Sequence, residues 1–135
     1  HELELHNNLL SVVPATVLGR VAPALENLDL HGNSLTEIEE GAFSGLEALV
    51  YLDVSDNQIK TVTFCELKNL QTLLFNQNLL EEVAGLEGLV SLKILFMQHN
   101  NLTVIANTTF MSLHNVEYLD VSFNSIATIK RGALR

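Results

Sequence analysis

The chain is poor in three things, and each shortage excludes something. It has one cysteine, Cys65, so no internal disulfide can form, and cysteine usage points to no redox compartment. It has seven basic residues against sixteen acidic ones, a net charge of −9. The shortfall is local: residues 1–59 carry ten Asp/Glu and a single basic residue, Arg20, whereas residues 60–135 carry six of each sign. An acid excess of this kind argues against nucleic acid and anionic membranes as partners and favours a basic one. Finally, no apolar run approaches the ~18 residues that cross a bilayer, so no membrane insertion by this segment is expected. The opening His1-Glu2-Leu3-Glu4-Leu5 is acidic and alternating and does not read as a signal peptide.

What the chain has is apolar residues, 47% against 17% charged, which excludes disorder. They recur on a fixed template. Leu25 to Leu35, Leu49 to Ile59, Leu70 to Leu80, Leu92 to Leu102 and Val116 to Ile126 align without a gap, and the N-terminus enters the same template late. Position 4 holds Leu3, Leu28, Leu52, Leu73, Leu95 and Leu119, and position 6 holds Leu5, Leu30, Val54, Phe75, Met97 and Val121. Positions 11 and 14 are also apolar in every copy. Position 9 is always asparagine: Asn8, Asn33, Asn57, Asn78, Asn100 and Asn124.

Alternation at positions 4 and 6 directs two side chains to one side of a short strand. One coil cannot bury that apolar edge alone, so successive coils must stack. The asparagine amide can satisfy backbone groups of adjacent coils that would otherwise be buried unpaired, at a cost of roughly 1–3 kcal/mol each. The asparagine column is therefore expected to be a structural ladder.

The pattern L-x-x-L-x-L-x-x-N-x-L resembles the leucine-rich repeat family over the full length of the chain. The resemblance implies an α/β solenoid: a right-handed coil with a curved parallel β-sheet on its concave face. Short helices or irregular segments would run on the convex face. Six coils are expected, at residues 1–24, 25–48, 49–69, 70–91, 92–115 and 116–135. After position 14 comes an outer apolar pair: Leu18/Val21, Phe43/Leu46, Phe64/Leu67, Leu86/Leu89 and Phe110/Leu113. The second and fifth coils are 24 residues long, but the third and fourth are 21 and 22. The long coils resemble the extracellular class, found in Toll-type receptors, adhesion proteins and small matrix proteoglycans. The short ones resemble cytosolic phosphatase regulators. Extracellular members usually carry cysteine-rich caps, and none is present here. The sequence thus reads as part of a longer repeat protein whose ends are covered by neighbouring repeats or chains.

Between the inward leucines, outward side chains form ladders on the concave face. Position 5 reads Glu4, Asp29, Asp53, Leu74, Phe96, Asp120, and position 3 includes Tyr51, Ile94 and Tyr118. The first three coils are acidic, the middle is apolar, and the last coil offers Asp120 and Phe123. A partner protein is expected to set an apolar anchor near Phe96 and a basic flank near Asp29 and Asp53. Partner-binding residues are therefore expected to be Glu4, Asp29, Tyr51, Asp53, Leu74, Ile94, Phe96, Tyr118 and Asp120.

Catalysis is not expected. Cys65 has no histidine beside it in the repeat register and reads as a small core residue. Glu39-Glu40 and Glu81-Glu82 lie in convex segments without a cleft, and no phosphate-cradling glycine motif occurs. His6 and His31 share the position 7 ladder, close enough for a shared metal, but only Glu4 and Asp29 stand near and no third histidine joins them, so neither metal nor cofactor is assigned. Sequons at Asn101-Leu102-Thr103 and Asn107-Thr108-Thr109 are candidate N-glycosylation sites, both away from the inner curve. Three readings stand. The first is a non-catalytic extracellular recognition module, secreted or part of an ectodomain, of receptor, adhesion or innate-immune type. The second is an intracellular scaffold, supported by the two short coils and the free Cys65. The third is a regulatory segment attached to an enzyme. The 24-residue coils favour the first.

Overall fold

In the computed structural model, residues 1–64 and 66–134 are described; the expectation for Cys65 lies outside them. In chain order the elements are β1 (Glu2–Glu4), β2 (Val12–Val13), α1 (Val17–Val21), β3 (Asn27–Asp29), β4 (Glu37–Ile38) and β5 (Tyr51–Asp53). They continue with β6 (Thr72–Leu74), β7 (Ile94–Phe96), β8 (Val104–Ile105), β9 (Tyr118–Asp120) and β10 (Thr128–Ile129).

Six of these strands form one parallel sheet in the order β1-β3-β5-β6-β7-β9. The register is that of the repeat. Leu3, Leu28, Leu52, Leu73, Leu95 and Leu119 stand directly opposite one another from strand to strand. A one-residue slip would turn every one of these leucines to solvent, so the apolar period of two specifies the pairing. The middle leucines are 0–1% exposed.

The strands are short because the chain turns at once. Template position 8 adopts a left-handed backbone in every coil: Asn7, Gly32, Asp56, Gln77, His99 and Phe123 have φ between 51° and 64°. Glycine, asparagine and aspartate tolerate that region, whereas a bulky side chain is strained there. At Gly32 a Cβ would also meet the side-chain amide oxygen of Asn7.

The asparagine at position 9 then joins three strands of chain. Asn57 Oδ1 accepts from Leu35 N at 2.9 Å, and its Nδ2 donates to Leu30 O and Val54 O, both at 3.1 Å. Asn33, Asn78, Asn100 and Asn124 make the same three kinds of bond, one amide clasping two successive coils. Asn8, in the first coil, reaches only its own coil through Leu5 O and His6 O.

The convex side is less regular. Two-stranded parallel pairs, β2 with β4 and β8 with β10, flank the middle coils. The outer apolar pair closes most coils by a tight i→i+3 turn, as in Leu46 N to Phe43 O and Leu67 N to Phe64 O. The first coil departs from this. There Ala22 N bonds Leu18 O four residues back, in the turn that ends α1. That α-type spacing seats Ala22 beside Leu18 against the core and leaves Val21, the expected partner, 73% exposed. Beneath the sheet, Phe43 stacks on Phe64 and Phe64 meets Phe75 edge-on, both with centroids 5.9 Å apart. Where coils three and four shorten, a convex-side cavity of about 220 Å³ opens. It is bordered by Thr63, Val62, Val83 and Ala84, and Glu40 and Glu82 also line it, so one acid of each pair borders a cleft where none was expected.

Candidate functional site

The sheet backbone is uniform from coil to coil, so differences on its outer face come from side chains alone. In the cross-strand register Glu4 faces Asp29, Asp29 faces Asp53, Asp53 faces Leu74, Leu74 faces Phe96, and Phe96 faces Asp120. The neighbouring ladder runs Glu2, Asn27, Tyr51, Thr72, Ile94, Tyr118. Acids and apolar groups thus occupy separate zones of one surface.

The acids differ in how free they are. Glu4 is exposed at the first strand. Asp53 is 8% exposed, and its Oδ1 accepts from Ser55 N at 2.8 Å and Ser55 Oγ at 2.6 Å. Asp120 Oδ1 is held in the same way by Ser122 N and Oγ at 2.9 and 2.6 Å. Those two bonds, the hydroxyl's first, hold the Asp120 carboxyl below its ordinary pKa. The Asp-x-Ser phrase of the repeat is therefore a local brace at the strand end, with both partners two residues apart on the same face. Asp53 also draws the Tyr51 hydroxyl, at 3.5 Å. Burial first, then the charges of Asp53 and Asp29, push the Tyr51 phenol up to about 12.

Asp29 departs from that pattern because histidine replaces serine at position 7. His31 N donates to Asp29 Oδ1 at 3.0 Å, and His31 Nδ1 lies 2.7 Å from the same oxygen. His6, on the adjacent coil, places its Nδ1 3.4 Å from Asp29 Oδ2. The two imidazoles stack with centroids 4.9 Å apart and planes 7° from parallel. The histidine ladder read from the sequence thus gains a carboxylate between its members.

In the apolar zone Leu74, Ile94 and Phe96 are half-buried. Phe96 meets Tyr118 edge-to-face, with centroids 5.2 Å apart, and Tyr118 is 55% exposed. Alongside, His99 stacks on Phe123 at 4.5 Å with planes 6° from parallel. His99 therefore belongs to an aromatic patch, and is more than the solvated loop residue its sequence position suggests. Phe123 is 73% exposed and sits in the left-handed backbone region. An aromatic there gains little burial and bears about 1–2 kcal/mol of strain. The sequence offers Phe123 beside Asp120 on the last coil, but neither its partner His99 nor its backbone conformation, because position 8 changes residue in every coil. The two sequon asparagines, Asn101 and Asn107, are exposed.

The chain belongs to the leucine-rich repeat family: the family model matches residues 1–59 and 90–135. Among curated proteins it is 34% identical to human podocan-like protein 1 over 96% of this chain and 26% of that protein. Human lumican is 33% identical over 83% of this chain and 41% of that protein. A fission-yeast (Schizosaccharomyces pombe) adenylate cyclase is 32% identical over 94% of this chain and 9% of the cyclase. The chain thus spans well under half the length of each. Two solved structures share the fold. A Drosophila Toll–Spatzle complex superposes with a TM-score of 0.85 at 28% identity, over 93% of this chain and 19% of that one. A TLR13–ssRNA13 complex superposes at 0.84 with 24% identity, over 92% of this chain and 19% of that one. The expected resemblance to small-proteoglycan and Toll-type repeats is what these comparisons return.

Proposed function

We propose that this chain is a recognition segment of an extracellular protein or ectodomain, and that it binds a protein partner on the outer face of its parallel sheet. The observation that carries the reading is the aromatic patch of Phe96, Tyr118, His99 and Phe123. Its rings form two pairs, Phe96 with Tyr118 and His99 with Phe123; Tyr118 and Phe123 are largely open to solvent, and Phe123 is held in a strained backbone. A patch that contributes so little to the core is explained by what docks on it. Glu2, Glu4 and Asp29 at the other end supply a negative flank for basic groups of the same partner. Asp53 and Asp120 contribute charge to that field, with Oδ1 of each already engaged by Ser55 and Ser122.

The same surface argues for protein over nucleic acid, since a phosphate backbone would meet the carboxylates of Glu2, Glu4, Asp29 and Asp53 along one edge. The three zones of this face, a carboxylate–histidine cluster, an apolar strip and an aromatic patch, suit binding. The match to an adenylate cyclase covers 9% of that enzyme, and a repeat segment inside such a protein is consistent with a binding role. The 24-residue coils and exposed sequons favour the extracellular reading over the intracellular scaffold.

The test is retention of partners from conditioned medium by chemical crosslinking and mass spectrometry. A protein crosslinked to the wild type is expected to be lost with Phe96→Ala or Phe123→Asn, to fall at least threefold with Glu4→Lys, and to persist with Lys68→Ala on the other side. Equal crosslinking by all four variants would remove the proposal. Glycan mass on Asn101 or Asn107 of native material is expected, and unmodified asparagines at both positions would count for the scaffold.

A further inference from the structure

We propose that His6, Asp29 and His31 form a binding site for a divalent transition metal, with zinc as the best fit, on the acidic half of the sheet's outer face. The inference does not depend on the binding function proposed above. Each of the three side chains offers one ligand atom, and these atoms all lie within 4.8 Å of one another. The arrangement follows from strand geometry. Asp29 and His31 are two residues apart and so project from the same face, while His6 comes from the adjacent coil, one strand spacing away. Two imidazoles and one carboxylate are a donor set that zinc takes readily, at about 2.0–2.2 Å.

Two details separate this cluster from an ordinary histidine–carboxylate contact. His6 Nδ1 is shielded from solvent and has no hydrogen-bond partner, although Asp29 Oδ2 is only 3.4 Å away. A buried ring nitrogen without a partner is uncommon and costly. A metal ion between it and the carboxylate would satisfy it. In addition, the other two aspartates on this ladder are braced by serines, Asp53 by Ser55 and Asp120 by Ser122, whereas at Asp29 the bracing position is a histidine. The repeat supplies an aspartate at this position in three coils, and among them only Asp29 stands between two imidazoles.

The two rings stand in a parallel stack. An ion bound by both imidazoles lies near the plane of each, so the rings must turn out of the stack toward it. Their side chains are 38% and 35% exposed, which leaves room for that rotation. Three protein ligands leave zinc one coordination position for water or for a donor from a bound partner, and that position faces outward from the sheet.

The experiment is titration of Zn²⁺ into EDTA-treated protein, followed by calorimetry and by the imidazole C–H resonances. One equivalent is expected to bind, with shifts at His6 and His31 and none at His99 or His114. His6→Ala and His31→Ala should each weaken binding at least tenfold, and Asp29→Asn similarly. His1→Ala, which removes the terminal imidazole, should leave binding unchanged. Absence of stoichiometric binding by the wild type would overturn the proposal, as would shifts confined to His1, His99 or His114. So would binding that survives both His6→Ala and His31→Ala. The resonance shifts are read on wild-type protein, so the outcome does not depend on any variant folding.

Discussion

The two halves of the sheet's outer face are built on the same backbone and show opposite chemistry. Over β1, β3 and β5 the exposed ladder is carboxylate and imidazole. Over β6, β7 and β9 it is leucine, isoleucine and aromatic rings, with Asp120 at the edge. Beneath both runs the same unbroken column of leucines. The difference teaches that the inward residues of each coil carry the fold and the outward ones are free to vary. Chemistry can therefore change along the sheet without disturbing the register.

The sharpest way to break this separation is to exchange neighbours across it. Leu73 is 1% exposed and Leu74, the next residue, projects from the opposite face. Leu73→Ala should lower the unfolding free energy by about 2–5 kcal/mol, whereas Leu74→Ala should cost about 0.5 kcal/mol, by chemical denaturation. Equal losses would mean that the apolar zone is core and not surface. The asparagine column offers the next contrast. Asn57→Ala removes a buried amide that serves two coils and should cost about 2–3 kcal/mol. Asn8→Ala removes exposed bonds within one coil and should cost under about 1 kcal/mol.

A smaller effect of opposite sign is expected in the aromatic half. Phe123→Asn replaces a strained aromatic by a residue suited to the left-handed region and should raise stability by about 0.5–1 kcal/mol. If it instead destabilises by that much, the ring is held by packing and the argument for a docking role weakens. The smallest expected effect is in the acidic half. The folded-state value of Tyr51 is raised to about 12 from 10.0, so the protonated phenol is the form the fold favours. Its contribution is complete below about pH 10 and is lost as pH climbs towards 12. The decline of stability across that window should be shallower in Tyr51→Phe.

Much of this architecture was legible beforehand, because a repeat reports each structural requirement six times. The inward columns, the strand register and the asparagine position follow from aligning the coils. The first outer pair was misread for a physical reason. Leu18 and Val21 match the spacing of other coils, but α1 winds one residue further before it turns and seats Ala22 in place of Val21. Position 8 was invisible for the opposite reason. Its requirement is on the backbone angle, and Asn7, Gly32, Asp56, Gln77, His99 and Phe123 share no side-chain property that an alignment could display.

The sequence alone determined the coil, the parallel sheet and the ladders, because burial of apolar side chains at a fixed period admits one register. It also located the charge, since formal charges are counted residue by residue. Tertiary structure decided which of the outward groups are free. Asp53 and Asp120 are tied to serines, Asp29 stands between two stacked imidazoles, and His99 lies against Phe123. Those partnerships depend on distances of a few ångströms between coils and on rotamers, which residue order does not encode one position at a time.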